Sequence, residues 1–406
     1  MYARRGGGMR HRLCVVHAFD PRGTKVGGIE TFIRDEIAFL PDDFSFLMIG
    51  IDTVGDLELG RVSRHFHRGR PYDFIPVLRI ADEQSREAAT SVRQSLNFRF
   101  FQGLIRYFTA VRSVLRERPT SIDLQRVEFS ALVRALGVPF VQRLHSEGVP
   151  KLQMDSLLKR YRFVHHVNEG LAVRLCDRFQ CVNSITTKRV RKDYPAHAGK
   201  IETLSTWVDA RTFSPQPLPA DEGFRVAFAG RLDLFKVPSL MFQTIGRLAR
   251  KIPGVEFHYM GTSDPHRFAE FGQIAERSVL HGFKSAEGVA DVLARVHAGI
   301  LTSEFEGMPF SVLEALGVGR PVCAIHLPQL ESVIVDGISG QLVPRSDDAD
   351  DMAERLADAF VAIDRLQRSG LVTPEGVAGE IADFRPEVQL GKCYETHRAL
   401  QRRMMD

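Results

Sequence analysis

Short apolar runs rich in β-branched and aromatic residues alternate along this chain with stretches whose apolar positions recur every three or four residues. The first pattern marks buried strands and the second marks helices lying on them, so the alternation predicts βαβ units and parallel sheets. In the first half, strands fall near Leu13–Ala18, Phe44–Ile49, Ser121–Leu124, Phe140–Arg143 and Gln180–Val182, with helices around Ile29–Leu40, Arg86–Glu117 and Phe129–Leu136. A second series opens at FRVAFAG (224–230) and runs through VEFHYM (255–260), SVLHGF (278–283), AGILTS (298–303) and PVCAI (321–325). No fixed-period repeat and no low-complexity tract interrupts either series.

Between the two series lies FSPQPLPADEGF (213–224), whose three prolines, two acids and one glycine mark a linker. A chain of 406 residues also exceeds what one core usually supports. Two α/β domains of similar size are therefore expected, 1–214 and 215–385, followed by a helix over 386–406. Spacing leaves open whether that helix packs on the second domain or crosses back to the first. Ligands of open parallel sheets sit beyond the carboxyl ends of the strands, which makes a cleft between two such domains the default site.

Composition changes this picture little. Hydrophobic residues at 44% and charged residues at 26% are ordinary for a soluble globular protein. A net charge of +4 and a pI near 8.8 suit anionic ligands such as nucleotides or lipid headgroups and do not demand nucleic acid. The five cysteines form no CxxC pair, and three lie in apolar segments, as expected of buried free thiols in a reducing compartment. No apolar run approaches the roughly 20 residues that span a bilayer. The basic start MYARRGGGMRHR precedes nothing long or apolar enough for a signal-peptide core, and Met9 is an alternative start; a cytoplasmic protein is expected. In 86–118, Leu104, Phe108, Val111 and Leu115 share one helical face, and the seven arginines read as a solvated face, with peripheral contact to anionic lipid as the lesser reading.

Candidate chemistry lies at strand ends. In GTKVGGIETFIRDEIAFL (23–40), Gly27 and Gly28 open a helix and would let backbone amides approach an anion. A tight turn with no ligand explains them equally well, since this is not the GxGxxG fingerprint. In FAGRLDLFKVPSL (228–240), Gly230 precedes Arg231, and Lys236 stands just before Pro238 at a plausible first helical position. Two such cations suit a diphosphate, although solvated surface cations are the commoner fate of Arg and Lys. In EFEGMPFSVLEALGVGRPV (304–322), Glu306 lies in a loop and Glu314 within the helix that begins near Phe310, so a helical stripe does not explain their spacing. Glu306 with the backbone of Gly307, Met308, Pro309 and Phe310 could grip sugar hydroxyls, and Glu314 a ribose diol. His145 ends the strand VPFVQRLH; such a histidine is often structural, yet its place at a carboxyl end makes it a candidate. No His/Cys/Asp cluster has metal-site spacing.

Four segments together resemble one family: GGIETF, FVQRLHSEG (140–148), GRLDLFK (230–236) and EGMPFSVLEALGVGRPV (306–322), with ESVIVDGISGQLVPRSDDAD (331–350) downstream. The chain resembles the GT-B-fold retaining nucleotide-sugar glycosyltransferases of family 4, the glycosyl transferases group 1. The resemblance implies an α/β chain of two Rossmann-like domains facing across a cleft, with the donor bound mainly by the second. Arg231 and Lys236 would hold the donor diphosphate, Glu306 and residues 307–310 the donor sugar, and Glu314 the ribose. Gly27, Gly28 and Gly230 would line the phosphates, and His145 would stand by the donor sugar and acceptor. It further implies a metal-free, front-face transfer with retention to a glycan or lipid-linked acceptor, in surface polysaccharide or lipopolysaccharide biosynthesis. The alternatives are a nucleotide-sugar epimerase or phosphorylase on the same fold, or a non-catalytic nucleotide-sugar-binding protein. Two positions depart from the family pattern: STWVD (205–209) replaces the usual Asn-Gly before Val-Asp, and Val237 replaces the glycine that usually follows the lysine.

Overall fold

A computed structural model describes residues 11–25, 27–86, 94–145 and 162–404. Residues 87–93 of the expected Arg86–Glu117 helix, Ser146–Gly148 of FVQRLHSEG and the alternative start at Met9 lie outside the described residues. The chain forms two compact units, one of Met1–Ser205 with Gln389–Asp406 and one of Thr206–Val388. The proline-rich stretch 213–224 thus falls inside the second unit. Arg320, fully buried, explains why: its guanidinium donates to Gln216 O at 2.8 Å and Pro217 O at 2.7 Å and straps that stretch down.

In the first unit, the described strands are β1 (His11–Val16), β2 (Phe44–Asp52), β3 (Ser63–His67), β4 (Arg70–Arg79), β5 (Thr120–Leu124), β6 (Phe140–Leu144), β7 (Arg178–Cys181) and β8 (Ile201–Thr203). They form one sheet in the order β3-β4-β2-β1-β5-β6-β7-β8. All neighbours run parallel except β3 and β4, an antiparallel hairpin. Its tip, Arg68-Gly69, has positive φ at both residues (46° and 77°), the pairing a two-residue hairpin turn requires. The central strands are buried on both faces, as near-continuous apolar parallel strands must be. The expected long arginine-rich helix is broken, with helices at Asp82–Arg86, Leu96–Arg106 and Phe108–Arg116. Gly103 sets one of them against β4, where a Cβ would lie 2.3 Å from the Val77 carbonyl oxygen. The backbone turns at Tyr107 (φ −102°, ψ 18°), and Val111 and Leu115 then bury in the same core as Leu104.

The second unit holds β9 (Phe224–Ala229), β10 (Val255–Met260), β11 (Ser278–Gly282), β12 (Ala298–Leu301), β13 (Val322–Ile325) and β14 (Gly340–Val343). All are parallel in the order β11-β10-β9-β12-β13-β14, which is the doubly wound 3-2-1-4-5-6 arrangement. Helix Pro238–Lys251 starts on a proline, whose missing N–H costs nothing there, and buries Leu240, Met241, Ile245 and Leu248 at helical spacing. Among the described residues, no helix is long and apolar enough to cross a membrane. All five cysteines are buried and unpaired.

From Gln389 onward, helix Pro386–Arg402 belongs to the first unit. Cys393, His397 and Gln401 recur every four residues and are all buried. Gln401 Nε2 donates to Arg12 O at 2.8 Å, and Tyr394 OH donates to Glu36 O at 2.9 Å. The helix therefore docks through buried polar groups as well as through Leu390 and Leu400, and the polar groups call for closely matched partners.

Candidate active site

Strand order reverses direction between β9 and β12, and the crevice at such a switch point is where open α/β sheets bind ligands. The loops that leave these two strands carry Gly230, Arg231 and Lys236 on one side and Thr302 to Pro309 on the other. Gly230 has φ +142°, and Gly261 from the next loop comes so near that a Cβ there would lie 2.3 Å from the Gly230 carbonyl oxygen. Glu304 N donates to Phe235 O at 2.8 Å, Thr302 Oγ1 to Lys236 O at 2.6 Å, and the Phe235 and Phe305 rings stack at 4.7 Å. The two loops are thus one tied body.

Lys236 and Glu306 meet in it. Lys236 Nζ lies 2.9 Å from Glu306 Oε1, and each side chain is only 14% exposed. Ser303 Oγ donates to the same oxygen at 2.8 Å, and among the described residues none bonds Oε2. The ammonium also faces the Phe228 and Phe235 rings at 5.6 and 5.4 Å. An ammonium has three donors, so one spent on Glu306 leaves others for phosphate oxygens. Arg231 is placed differently: 74% exposed, it pairs with Asp233 at 3.0 Å.

Val237 adopts a left-handed conformation (φ 46°, ψ 60°), strained for a β-branched residue, immediately before Pro238. Pro309 precedes helix Phe310–Gly317 and has no amide hydrogen, so of the four residues 307–310 it offers no donor. No described residue accepts from the Phe310 or Ser311 amides, which point out of the helix start. Gln329 Nε2 donates to Glu306 O at 2.6 Å and Thr206 Oγ1 to Met308 O at 3.3 Å, fixing the loop from behind. Glu314 is half-buried one turn into the helix.

In the first unit the switch lies between β1 and β5. Gly27 is extended there (φ −171°), and a Cβ would lie 2.5 Å from Glu30 Oε2. That glycine thus makes room for a carboxylate of its own chain. Glu30 is buried, 3.1 Å from Lys25 Nζ and 4.0 Å from His17 Nε2. Burial opposes its charge, yet His17, Lys25 and a backbone amide together hold its pKa below the ordinary value. His17 itself is buried, which lowers its pKa, and its Nδ1 has no hydrogen-bond partner among the described residues. The loop before Gly27 is pinned twice: Arg22 reaches Asp20, Asp52 and Asp56 at 2.9, 2.8 and 2.7 Å, and Arg34 donates to Gly23 O and Lys25 O.

His145 follows β6. Its Nε2 meets Gln125 Oε1 at 2.5 Å, and its ring stands edge-on to Phe32 at 5.1 Å. Burial, and then the Arg143 guanidinium, push its pKa down to about 3, so the ring is neutral near pH 7. Asp123, Cys393 and His397 form the one group of metal-ligand type among the described residues, their ligand atoms within 4.8 Å of one another. Arg143 Nη2 already sits there, 2.6 Å from Asp123 and 2.8 Å from Cys393 Sγ, so the group holds a guanidinium cation.

Sequence reasoning missed Ser303, Glu30 and Gln125. Gln125 follows the expected strand Ser121–Leu124 directly and Ser303 is the last residue of the expected strand 298–303, which in the structure ends at Leu301, so nearness to a strand's carboxyl end was the available signal. Glu30 lies inside the quoted GGIETF.

The fold is that of the GT-B glycosyltransferase structures. It superposes on the sucrose-phosphate synthase of Thermosynechococcus elongatus with a TM-score of 0.72 at 18% identity, over 96% of this chain and 99% of that one. Anabaena Alr3699/HepE, solved in complex with UDP and glucose, gives 0.67 at 15% identity over 96% and 99%. Residues 223–360 match the model of the family glycosyl transferases group 1, so the second unit carries a glycosyl transferases group 1 domain. The D-inositol 3-phosphate glycosyltransferase of Nocardiopsis dassonvillei is 24% identical over 253 residues, 55% of this chain and 57% of that protein. The chain spans about half the length of the curated relatives it matches.

Proposed function

We propose that this chain is a glycosyltransferase of the hexosyltransferase type. It moves a sugar from a nucleoside-diphosphate sugar to a glycan or lipid-linked acceptor, with retention, in surface polysaccharide or lipopolysaccharide assembly. The observation that carries this reading is the half-enclosed Lys236–Glu306 pair at the switch point of a group 1 domain. Lys236 takes the diphosphate and neutralises the charge that grows on it as the glycosidic bond breaks, the electrostatic role with the largest leverage. Arg231, exposed and paired with Asp233, is a second cation for the same phosphates. Glu306 offers its unoccupied Oε2 to a sugar hydroxyl, the Phe310 and Ser311 amides add donors, and Glu314 takes the ribose. His145 serves the acceptor hydroxyl. No step is assigned to a metal. The protein works in the cytoplasm, with peripheral contact at the inner face of the plasma membrane where the acceptor is lipid-linked.

The test is a screen of nucleotide sugars for slow hydrolysis and transfer. It starts with UDP-glucose, whose parts HepE holds, and with inositol 3-phosphate among the acceptors, after the Nocardiopsis relative's name. Calorimetry accompanies it: Lys236→Ala should weaken nucleoside diphosphate by roughly 1.5–3 kcal/mol and leave the bare nucleoside unchanged. Tight diphosphate binding with no turnover on any donor would instead establish a binding protein.

A further inference from the structure

The His145 ring is held by a hydrogen-bonded series that begins deep in the first unit. Gln125, buried just past β5, donates from Nε2 to Asp123 Oδ1 at 2.8 Å. Asp123 is a carboxylate, whose pKa is lowered to about 2 because Arg143 and His397 outweigh the cost of burial. A carboxylate only accepts, which fixes the amide: nitrogen toward Asp123, oxygen toward His145. That oxygen also only accepts, so the His145 Nε2 that meets it carries the hydrogen. A neutral imidazole has a single N–H, and Nδ1 is therefore the lone-pair atom.

The geometry points to Gln125 as a positioning residue that locks His145 in its Nε2–H tautomer and so presents Nδ1 as a hydrogen-bond acceptor for the hydroxyl of the incoming acceptor. This rests on the placement of His145 at the acceptor in the preceding section. Charge does not decide the matter: burial, and then Arg143 on β6, His17 past β1 and Arg126 past β5, keep the ring neutral against the opposing pull of Asp123 on β5. What remains is the question of which nitrogen holds the single hydrogen. With Nε2–H, a hydroxyl at Nδ1 donates its hydrogen and its oxygen keeps its lone pairs for attack. With Nδ1–H the imidazole would donate to that oxygen and tie up a lone pair that attack needs. A glutamine that merely satisfied buried Asp123 would have no influence on this choice.

The full chain, labelled with 15N at histidine, decides it. His145, assigned by its absence in His145→Asn, is expected as the Nε2–H tautomer in long-range correlation spectra from about pH 5 to about pH 8. In Gln125→Leu the two tautomers should mix, kcat should fall on the order of ten- to a hundred-fold, and the Kd for nucleoside diphosphate should stay within about twofold, since orientation of a proton-handling group is what is lost. A wild-type ring found as Nδ1–H overturns the inference, as does a lock unchanged in Gln125→Leu or a lost lock with undiminished kcat. Should Gln125→Leu fail to fold, the wild-type spectrum still decides the tautomer. Failure of the transferase reading shows separately, as wild-type protein inactive on every donor.

Discussion

Glu306 serves its own chain and, in our reading, a ligand, through different oxygens. Oε1 takes both Lys236 and Ser303, which leaves Oε2 for the sugar. Glu306→Gln should therefore lose turnover and sugar discrimination. It should bind free nucleoside diphosphate at least as well as the parent, because Lys236 loses a competing anion. Glu314→Gln should weaken donor and nucleoside diphosphate alike, by about 1.5–3 kcal/mol, and affect a 2′,3′-dideoxy analogue little. Calorimetry with three ligands on two variants checks this, and identical profiles would refute the division of labour. Val237 supplies a third residue-scale expectation. Its left-handed backbone costs about 1–3 kcal/mol, and a glycine there would gain about 0.5–1 kcal/mol of unfolded-state freedom. Val237→Gly should thus stabilise by about 1 kcal/mol, a rise of roughly 2–4 °C in Tm; a lower Tm would show the strain to be absent.

At the scale of elements, continuous apolar strands such as FRVAFA and LCVV were legible because burial on both faces leaves no other pattern. SRHFH was not, since the edge strand β3 exposes alternate residues and carries only one phenylalanine. The break at Tyr107 was hidden too: the apolar period on both sides is helical, and only the approach of Gly103 to Val77 O, a tertiary fact, shows how the first segment is seated. At the candidate site the residues at loop ends were readable. The Lys236–Glu306 contact, a pairing across 70 positions, was beyond any local pattern. The docked stripe of helix Pro386–Arg402 makes an element-scale prediction through Glu36. Burial, and then Asp123, raise the Glu36 pKa well above its ordinary 4.5. Arg143 stands between two carboxylates, and Asp123 keeps the charge. Below about pH 4.5 both folded and unfolded chains hold the Glu36 proton, so no stability is lost. As pH rises toward the folded value, the unfolded chain ionises while the folded one cannot, and stability falls by up to about 1.4 kcal/mol per pH unit. Glu36→Gln lacks that proton, so its advantage over the parent in denaturant titrations should grow from near zero at pH 4 to clearly positive at pH 8. A difference that does not change with pH would mean Glu36 is ionised in the folded chain.

At the scale of the molecule, the second unit is an insertion: the chain leaves the first unit at Ser205 and returns to it at Gln389. Thr206–Val388 has its own six-stranded sheet, whereas the first unit needs Cys393, His397 and Gln401 to complete the environment of Ser121, Asp123 and Arg12. Removing residues 389–406 should accordingly lower the first unit's melting transition and leave the second unit's in place, which calorimetry with two resolvable transitions would check. A single transition that shifts as a whole would show that the units do not melt independently. Synthesis on the ribosome gives the same topology a direction in time. At about 5–20 residues per second, roughly 10–40 s separate the emergence of the first unit's strands from that of the helix that seals them. Throughout that interval Glu36 and Asp123 lack their partners Tyr394, Cys393 and His397, so the part of the protein made first is finished last. A nascent chain stalled before residue 389 should then yield a protease-resistant second unit beside a first unit that is still cut.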